Sequence, residues 1–331
     1  MERHPRWPPW LRTLLQPSVL LPLLLAGALL AFVLSISDLP RVFGRIRAIS
    51  PAALLLCAGC AVYYLVLKGL VFRLLLHGLG FTVPWRPFVL AYAVGEMTLQ
   101  LPAGTYASNY LLSRMGQAQP GRSSAATTVL LILETVVVMA VLAALGIPGW
   151  HWLQPALVVL IALHVGVMAL VVTSAGLRRW LDGFRGRFLG PMAHGLLDLV
   201  NGLRALSRVR YLGLGTLLTL VYLTGLGAGL GIIGRSQGLD LSFQQALSIY
   251  FAALLVTLFL GSMLTQLGVI EAVGLGAAQA WGYGLNEGLA AILGFRIVWI
   301  GSVWLICGTL ALLLRRELRG SGRNGFQEPA D

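Results

Sequence analysis

The sequence predicts an all-α, polytopic integral membrane protein, and three observations predict it. Of 331 residues, 57% are hydrophobic and 11% charged, whereas a soluble domain carries about 25% charged residues. This chain cannot cover itself with a wetted surface. Long apolar runs each approach the ~20 residues that cross a bilayer as a helix. The runs are continuous rather than alternating at period two, which excludes a β-barrel. The length allows one membrane domain, residues 1–331, and no tract is long and polar enough for a soluble catalytic domain.

Arg3, Arg6 and Arg12 precede an apolar stretch from Val19 to Ile36. A cleavable leader has an apolar region of only about 7–15 residues, so this stretch reads as an uncleaved first span. Five further spans are expected at Ala52–Phe72, Ser124–Leu145, Leu153–Thr173, Tyr211–Ile233 and Gly288–Leu314. Two interrupted apolar stretches lie between them, Trp85–Met115 and Phe243–Ala280. The connection over about 176–210 repeats Leu196, Leu199, Val200, Leu203 and Leu206 at helical spacing, with Arg204 and Arg208 off that stripe and Trp180, Phe184 and Phe188 ahead of it. It reads either as an amphipathic helix in the interface or as a cytoplasmic linker. Residues 315–331 form a tail. Cys57 and Cys60 have CxxC spacing inside an apolar helix, and Gly225–Gly231 carries a GxG pattern inside a span; both read as helix contacts.

The net charge of +12 comes almost wholly from Arg beside apolar spans. That placement signals topology and anionic-lipid contact rather than nucleic acid. The Arg-rich connection before Tyr211 and the tail with Arg315, Arg316, Arg319 and Arg323 are expected to be cytoplasmic, which places both termini inside. Arg41, Arg45 and Arg47 disagree, since the same count puts their loop outside.

Each interrupted stretch contains a short Gly-bearing break: Leu101-Pro102-Ala103-Gly104 and Thr265-Gln266-Leu267-Gly268. Each is followed by a span with a lone charge, Glu134 after the first and Arg296 after the second. The Arg count makes the two stretches enter from opposite membrane faces. This predicts inverted-topology repeats over about 81–146 and 240–314, with each broken stretch either a re-entrant hairpin or two short spans. Such breaks are the best sequence pointer to a transport site.

Intramembrane charges cost about 2.5–3.5 kcal/mol each on insertion scales and ask for a partner or a role. One reading gathers Glu96, Glu134, Glu271 and Arg296 around a midplane cavity, with Arg296 receiving an anionic headgroup. The other pairs Arg296 with Glu134 or Glu271 as a lock between the repeats. Gly104 and Gly268 would open half-helices whose N-termini favour anions, although Gly and Pro also simply permit a tight bend. Pro102, Asn109, Arg114 and Gln266 complete the expected substrate-binding set, while His164 reads as a packing residue. No catalytic motif appears, so neither enzyme activity nor a cofactor or metal is expected.

At these breaks the chain resembles the transmembrane region of lysylphosphatidylglycerol synthases and its stand-alone, flippase-like relatives. The residues that carry the resemblance are Leu101–Gly104 running to Tyr110–Gly116, then Glu134, and Leu267–Glu271 followed by Leu293–Arg296. The likeness covers about Val19 to Leu314. It implies a bacterial inner-membrane protein that moves an anionic or modified lipid between leaflets, with membrane lipids and lipid-biosynthesis enzymes as partners. Some stand-alone members are linked to hopanoid biosynthesis, and the size fits that branch. The absence of an obvious coupling motif makes a non-transporting accessory role in lipid synthesis the alternative, and the residues leave an ion-coupled solute carrier, with Glu96 or Glu271 as proton site, open. Two departures stand out: Thr265-Gln266-Leu267-Gly268 lacks the family's Pro and Gly pair, and Thr105-Tyr106-Ala107-Ser108-Asn109 replaces its Gly-rich, basic continuation. The aminoacyl-transferring domain of bifunctional members is expected to be absent.

Overall fold

A computed structural model describes residues 17–99, 104–174, 176, 190–260 and 268–315. Among them the chain forms twelve α-helices and no strand, the architecture of an all-α polytopic membrane protein. We number the helices α1 (Pro17–Ser35), α2 (Leu39–Arg47), α3 (Pro51–Gly78), α4 (Trp85–Thr98), α5 (Ala107–Arg114), α6 (Pro120–Leu145), α7 (Leu153–Thr173), α8 (Gly190–Leu206), α9 (Val209–Ser236), α10 (Phe243–Leu260), α11 (Val269–Ala280) and α12 (Leu285–Leu314).

Five helices, α3, α6, α7, α9 and α12, are long and apolar enough to cross a membrane. Most of them overrun the expected spans because sequence-local caps set their ends. Ser50 accepts from the Ala53 N–H and Pro51 opens α3, while Pro120 opens α6. These positions are polar or turn-forming, so an apolar window trims them. The first predicted span is met by α1, whose last turns bend by 97° into α2. Asp38 caps α2, which buries Val42 and leaves Arg41 and Arg47 exposed.

The interrupted stretches become antiparallel arms that pack on each other, α4 on α5 and α10 on α11. The eight residues of α5 span about 12 Å at ~1.5 Å per residue, and the twelve of α11 about 18 Å. Neither crosses a ~30 Å hydrocarbon core, which favours hairpins over paired full spans. Gly104 opens a 3₁₀ turn (Gly104–Tyr106) rather than α5 itself, because Tyr106 takes the cap position. A Cβ on Gly104 would stand 1.7 Å from the Thr98 carbonyl oxygen, so the returning chain needs the missing side chain. Gly268 does cap α11, at φ +84°, the left-handed region that suits glycine.

The packing recurs along the chain. α3 lies against α9; α4 packs on α12 as α10 packs on α6, and α2 packs on α12 as α8 packs on α6. Tyr64 and Tyr222 stand as far apart in sequence as Tyr92 and Tyr250, and as Gly80 and Gly238. Gly80 and Gly238 close α3 and α9 with the same turn at φ +85° and +82°. In both, the glycine N–H and the next N–H return to carbonyls of the last helical turn, the Schellman pattern. Gly116 and Gly282 end α5 and α11 in the same way. Their separation is eight residues greater because α10 and α11 are each four residues longer than α4 and α5.

The amphipathic connection folds as α8, fastened to the end of α7 by Arg204, which donates to the Val172 and Thr173 carbonyls. Its buried stripe is Leu197, Val200, Leu203 and Leu206, whereas Leu196 is exposed. Val200, Leu203 and Leu206 of the expected stripe are buried and Leu199 partly so, with Leu197 in place of Leu196, because α8 docks on α6. Trp180, Phe184 and Phe188 lie outside the described residues. Cys57 and Cys60 are free thiols on α3. Gly227 and Gly229 let Leu247 of α10 and Phe295 of α12 approach α9, where a Cβ would come within 2.6 and 2.7 Å. His164 is half-exposed on α7, a helix that buries only Leu157.

Candidate functional site

A cavity of about 270 Å³ lies where the recurring units meet, walled by α3, α4, α6, α9, α10, α12 and the 3₁₀ turn. Its charged wall is built on Lys68, the only lysine in the chain, on the inner face of α3. The Lys68 Nζ stands 3.2 Å from Glu96 Oε1 on α4 and 3.4 Å from Glu134 Oε1 on α6. It donates to the Tyr64 hydroxyl one turn earlier at 2.8 Å. From α9, the Tyr222 hydroxyl donates to Glu134 at 2.7 Å. The rings of Tyr64 and Tyr222 meet edge to face, 5.3 Å between centroids. Three helices thus meet at one ammonium, and α9 joins them through Glu134. All these side chains are under a tenth exposed, so each bond is made at low dielectric, where a missing partner is costly.

The opposite wall carries Arg296, near the middle of α12 and 4% exposed. Its Nε lies 3.3 Å from Glu271 Oε1 of α11. The other oxygen of Glu271 accepts from the Gly268 N–H at 2.7 Å, the glutamate half of a capping box, since Gly268 has no side chain to complete it. Glu271 therefore fastens the end of the hairpin to α12, as a lock between elements. Arg296 still lines the cavity beside Tyr250, Phe295 and Trp299. Phe295 touches Tyr250 edge to face at 5.1 Å and lies 5.2 Å from Trp299, giving this wall an aromatic floor.

The rim has a direction. Trp304 of α12 lines the cavity yet is 51% exposed, next to Leu305 at 73%. Tyr106, at the tip of the first break, is also partly exposed. The opening therefore faces sideways from the helix bundle, well within the length of α12.

Of the residues singled out in the sequence, Glu96, Glu134 and Arg296 line the cavity. Glu271 reaches it only through Arg296. Gly104 shapes the turn that presents Thr105 and Tyr106 to it. Asn109 is buried behind that turn, its Nδ2 donating to Thr127 on α6 at 2.7 Å. Arg114 sits at the far end of α5 over the Tyr110 ring, 5.8 Å from its centroid, outside the cavity lining. The helical offset explains this: α5 leads away from the cavity, so its last turn is remote from its first. Pro102 and Gln266 lie outside the described residues. Lys68, Tyr64 and Tyr222 were not foreseen. Lys68 carried a usable signal as the one lysine in the chain, deep in an apolar span.

Two cations, Lys68 and Arg296, and two carboxylates, Glu96 and Glu134, line the cavity, and a third carboxylate, Glu271, stands behind Arg296. The cavity is therefore not a cationic receptor, and each cation already has carboxylate company. Among the described residues no group of His, Cys, Asp and Glu could hold a metal ion. No curated protein and no solved structure matches the chain. Residues 19–307 match the family described as the lysylphosphatidylglycerol synthase TM region, and with a match over most of its length the chain belongs to that family.

Proposed function

We propose that the chain moves a lipid between the leaflets of the membrane that holds it, through a cavity between two inverted repeats. On this reading the repeats are α3–α6 and α9–α12, one helix longer at the start than the breaks alone suggest. The reading is supported most by a charged, buried cavity whose rim includes the lipid-exposed Trp304. A headgroup reaching it sideways would keep its acyl chains in the bilayer. Counting crossings, α3, α6 and α7 separate the start of α3 from the start of α9, so the two units run in opposite senses, as transporter repeats do. The membrane is the bacterial inner membrane, with both termini cytoplasmic. Of the three arginines that oppose this orientation, Arg45 is bound to Glu287 and to the Gln237 carbonyl, so it serves packing as well as topology.

The excess of carboxylate favours a headgroup that brings its own positive group, an amine or aminoacyl ester on a phosphate, over a simple anion. Its amine would meet Glu96 and Glu134 and its phosphate Arg296. The test is reconstitution in vesicles with acyl-labelled phosphatidylglycerol, phosphatidylethanolamine and aminoacyl-phosphatidylglycerol. Faster leaflet exchange than in empty vesicles, lost in Glu134→Gln and Arg296→Gln, is expected. Exchange at the empty-vesicle rate for every lipid sinks the reading and leaves an accessory role in lipid synthesis.

A further inference from the structure

A second, smaller cavity lies behind the charged wall. Its volume is about 30 Å³, room for roughly two water molecules by probe-occupied volume and far too little for a lipid headgroup. Lys68, Glu96 and Glu134 line both cavities and so form the partition between them. The far side is lined by the hydroxyls of Ser108 and Thr127 and by the bare backbone of Gly95. A Cβ on Gly95 would stand 1.8 Å from Ser108 Oγ, so the glycine lets the Ser108 hydroxyl approach α4 beside the partition, where Phe72, Tyr92 and Leu130 complete the lining. Thr127 accepts from Asn109, whose own Oδ1 is buried without a hydrogen bond. Polar groups thus continue from the partition into the α4–α5–α6 contact, away from the lipid-facing rim.

The partition also has a charge imbalance. One ammonium faces two carboxylates, and one bound proton brings the three groups to neutrality. Two carboxylates near one another share a proton for the same reason. The titratable and charged groups facing this pair are Tyr64 and Lys68 on α3, Tyr92 on α4, Tyr222 on α9, Tyr250 on α10, and Arg296 and Cys307 on α12. Lys68 and Arg296 are the cations among them, and Arg296 is engaged by Glu271.

We infer that the Lys68–Glu96–Glu134 partition is a proton-binding site fed through the small Ser108–Thr127 cavity, so that lipid movement through the large cavity is exchanged for a proton. This rests on the lipid-transport reading. A proton adds to a carboxylate oxygen of Glu96 or Glu134, leaving Lys68 paired with the other. A positive headgroup entering from the large cavity competes for the same oxygens, and its arrival returns the proton to the small cavity. One side of the partition serves the headgroup and the other serves water.

Two measurements on the full chain test this. In the first, infrared difference spectra of the reconstituted protein are taken on stepping from neutral to mildly acid pH. A protonated carboxyl band is expected, lost in the double variant Glu96→Gln/Glu134→Gln and slowed several-fold in Thr127→Val. No band, or a band unchanged in the double variant, overturns the proton site whatever the lipid result. In the second, acyl-labelled phosphatidylethanolamine is followed in vesicles with a one-unit pH gradient. With the membrane potential clamped at zero, because exchange of a proton for this zwitterionic lipid moves net charge, one proton per lipid gives about a tenfold leaflet asymmetry at steady state, since one pH unit is a factor of ten. Lipid that exchanges but stays symmetric overturns the coupling and leaves the transport reading standing. If no lipid moves, the transport reading fails on its own and the band alone decides the site.

Discussion

The two halves, α3–α6 and α9–α12, share a frame but not a chemistry. Both end their long first helix on a left-handed glycine, Gly80 or Gly238. Both place a tyrosine at the α3–α9 contact and another on the first hairpin arm. Yet Lys68 and Glu96 of the first half stand, at the same separation, against Leu226 and Leu254 of the second. Glu134 of α6 meets Tyr222, whereas Trp299 of α12 meets Tyr64. The first half carries the shared-cation cluster; the second carries one pair, Arg296–Glu271, which also holds a hairpin shut. Backbone turns and aromatic contacts set the shape in both halves, while buried charge is concentrated on one wall. The asymmetry gives a symmetric cavity two unlike faces, one carboxylate-rich and one aromatic.

The largest effect expected from breaking this asymmetry is at Lys68. Lys68→Met strands two carboxylates in a buried site, and removing one partner of a buried pair costs about 3–5 kcal/mol. Its counterpart Leu226→Met keeps volume and chemistry and costs below about 1.5 kcal/mol. Denaturation of the purified protein in detergent should rank them in that order. Adding Glu96→Gln and Glu134→Gln to Lys68→Met should recover much of the loss, because amides need no counter-ion. Equal losses at Lys68 and Leu226 would show that the two walls do not differ in buried charge.

A smaller and symmetric effect is expected at the turns. Gly80→Ala and Gly238→Ala each force a Cβ into the left-handed region, at about 1–2 kcal/mol, and nothing crowds either position. The two variants should lose equal stability by thermal unfolding. A marked difference would break the idea that the halves share one frame.

Much of this frame was legible beforehand. Continuous apolar runs are read directly because lipid leaves the backbone only helices or closed barrels. The breaks were visible because Gly and Pro interrupt those runs, and Glu96, Glu134, Glu271 and Arg296 stood out as charges in apolar surroundings. What stayed hidden depended on tertiary contact. Lys68 lies far in sequence from either break, and only the α3–α4–α6 meeting joins it to Glu96 and Glu134. Tyr64 and Tyr222 carry no signal in the sequence, because their roles depend on the charges their hydroxyls meet across helices. Arg114 was misplaced because nearness to a break in sequence does not carry through two helical turns. On α8 Leu197 rather than Leu196 joins the buried stripe, because spacing shows that a face is apolar but not which neighbour will bury its edge.

The smallest expected effect tests the ends of the comparison. α2 and α8 occupy matching places, on α12 and α6, but are fastened differently. Arg204 of α8 is bound to backbone carbonyls of α7, while Arg45 of α2 pairs with Glu287 at 2.6 Å, with the two side chains 29% and 43% exposed. Water competes for a pair so exposed, and such pairs contribute about 0.2–1 kcal/mol. A double-mutant cycle of Arg45→Ala and Glu287→Ala, read by thermal unfolding, should return a coupling in that range that shrinks at high salt. The buried pair Arg296–Glu271 taken through the same cycle should show coupling that salt does not change, because bulk ions do not reach it. A salt-sensitive Arg296–Glu271 coupling would mean that the second wall is open to solvent, and the contrast between a wet edge and a dry centre would fall.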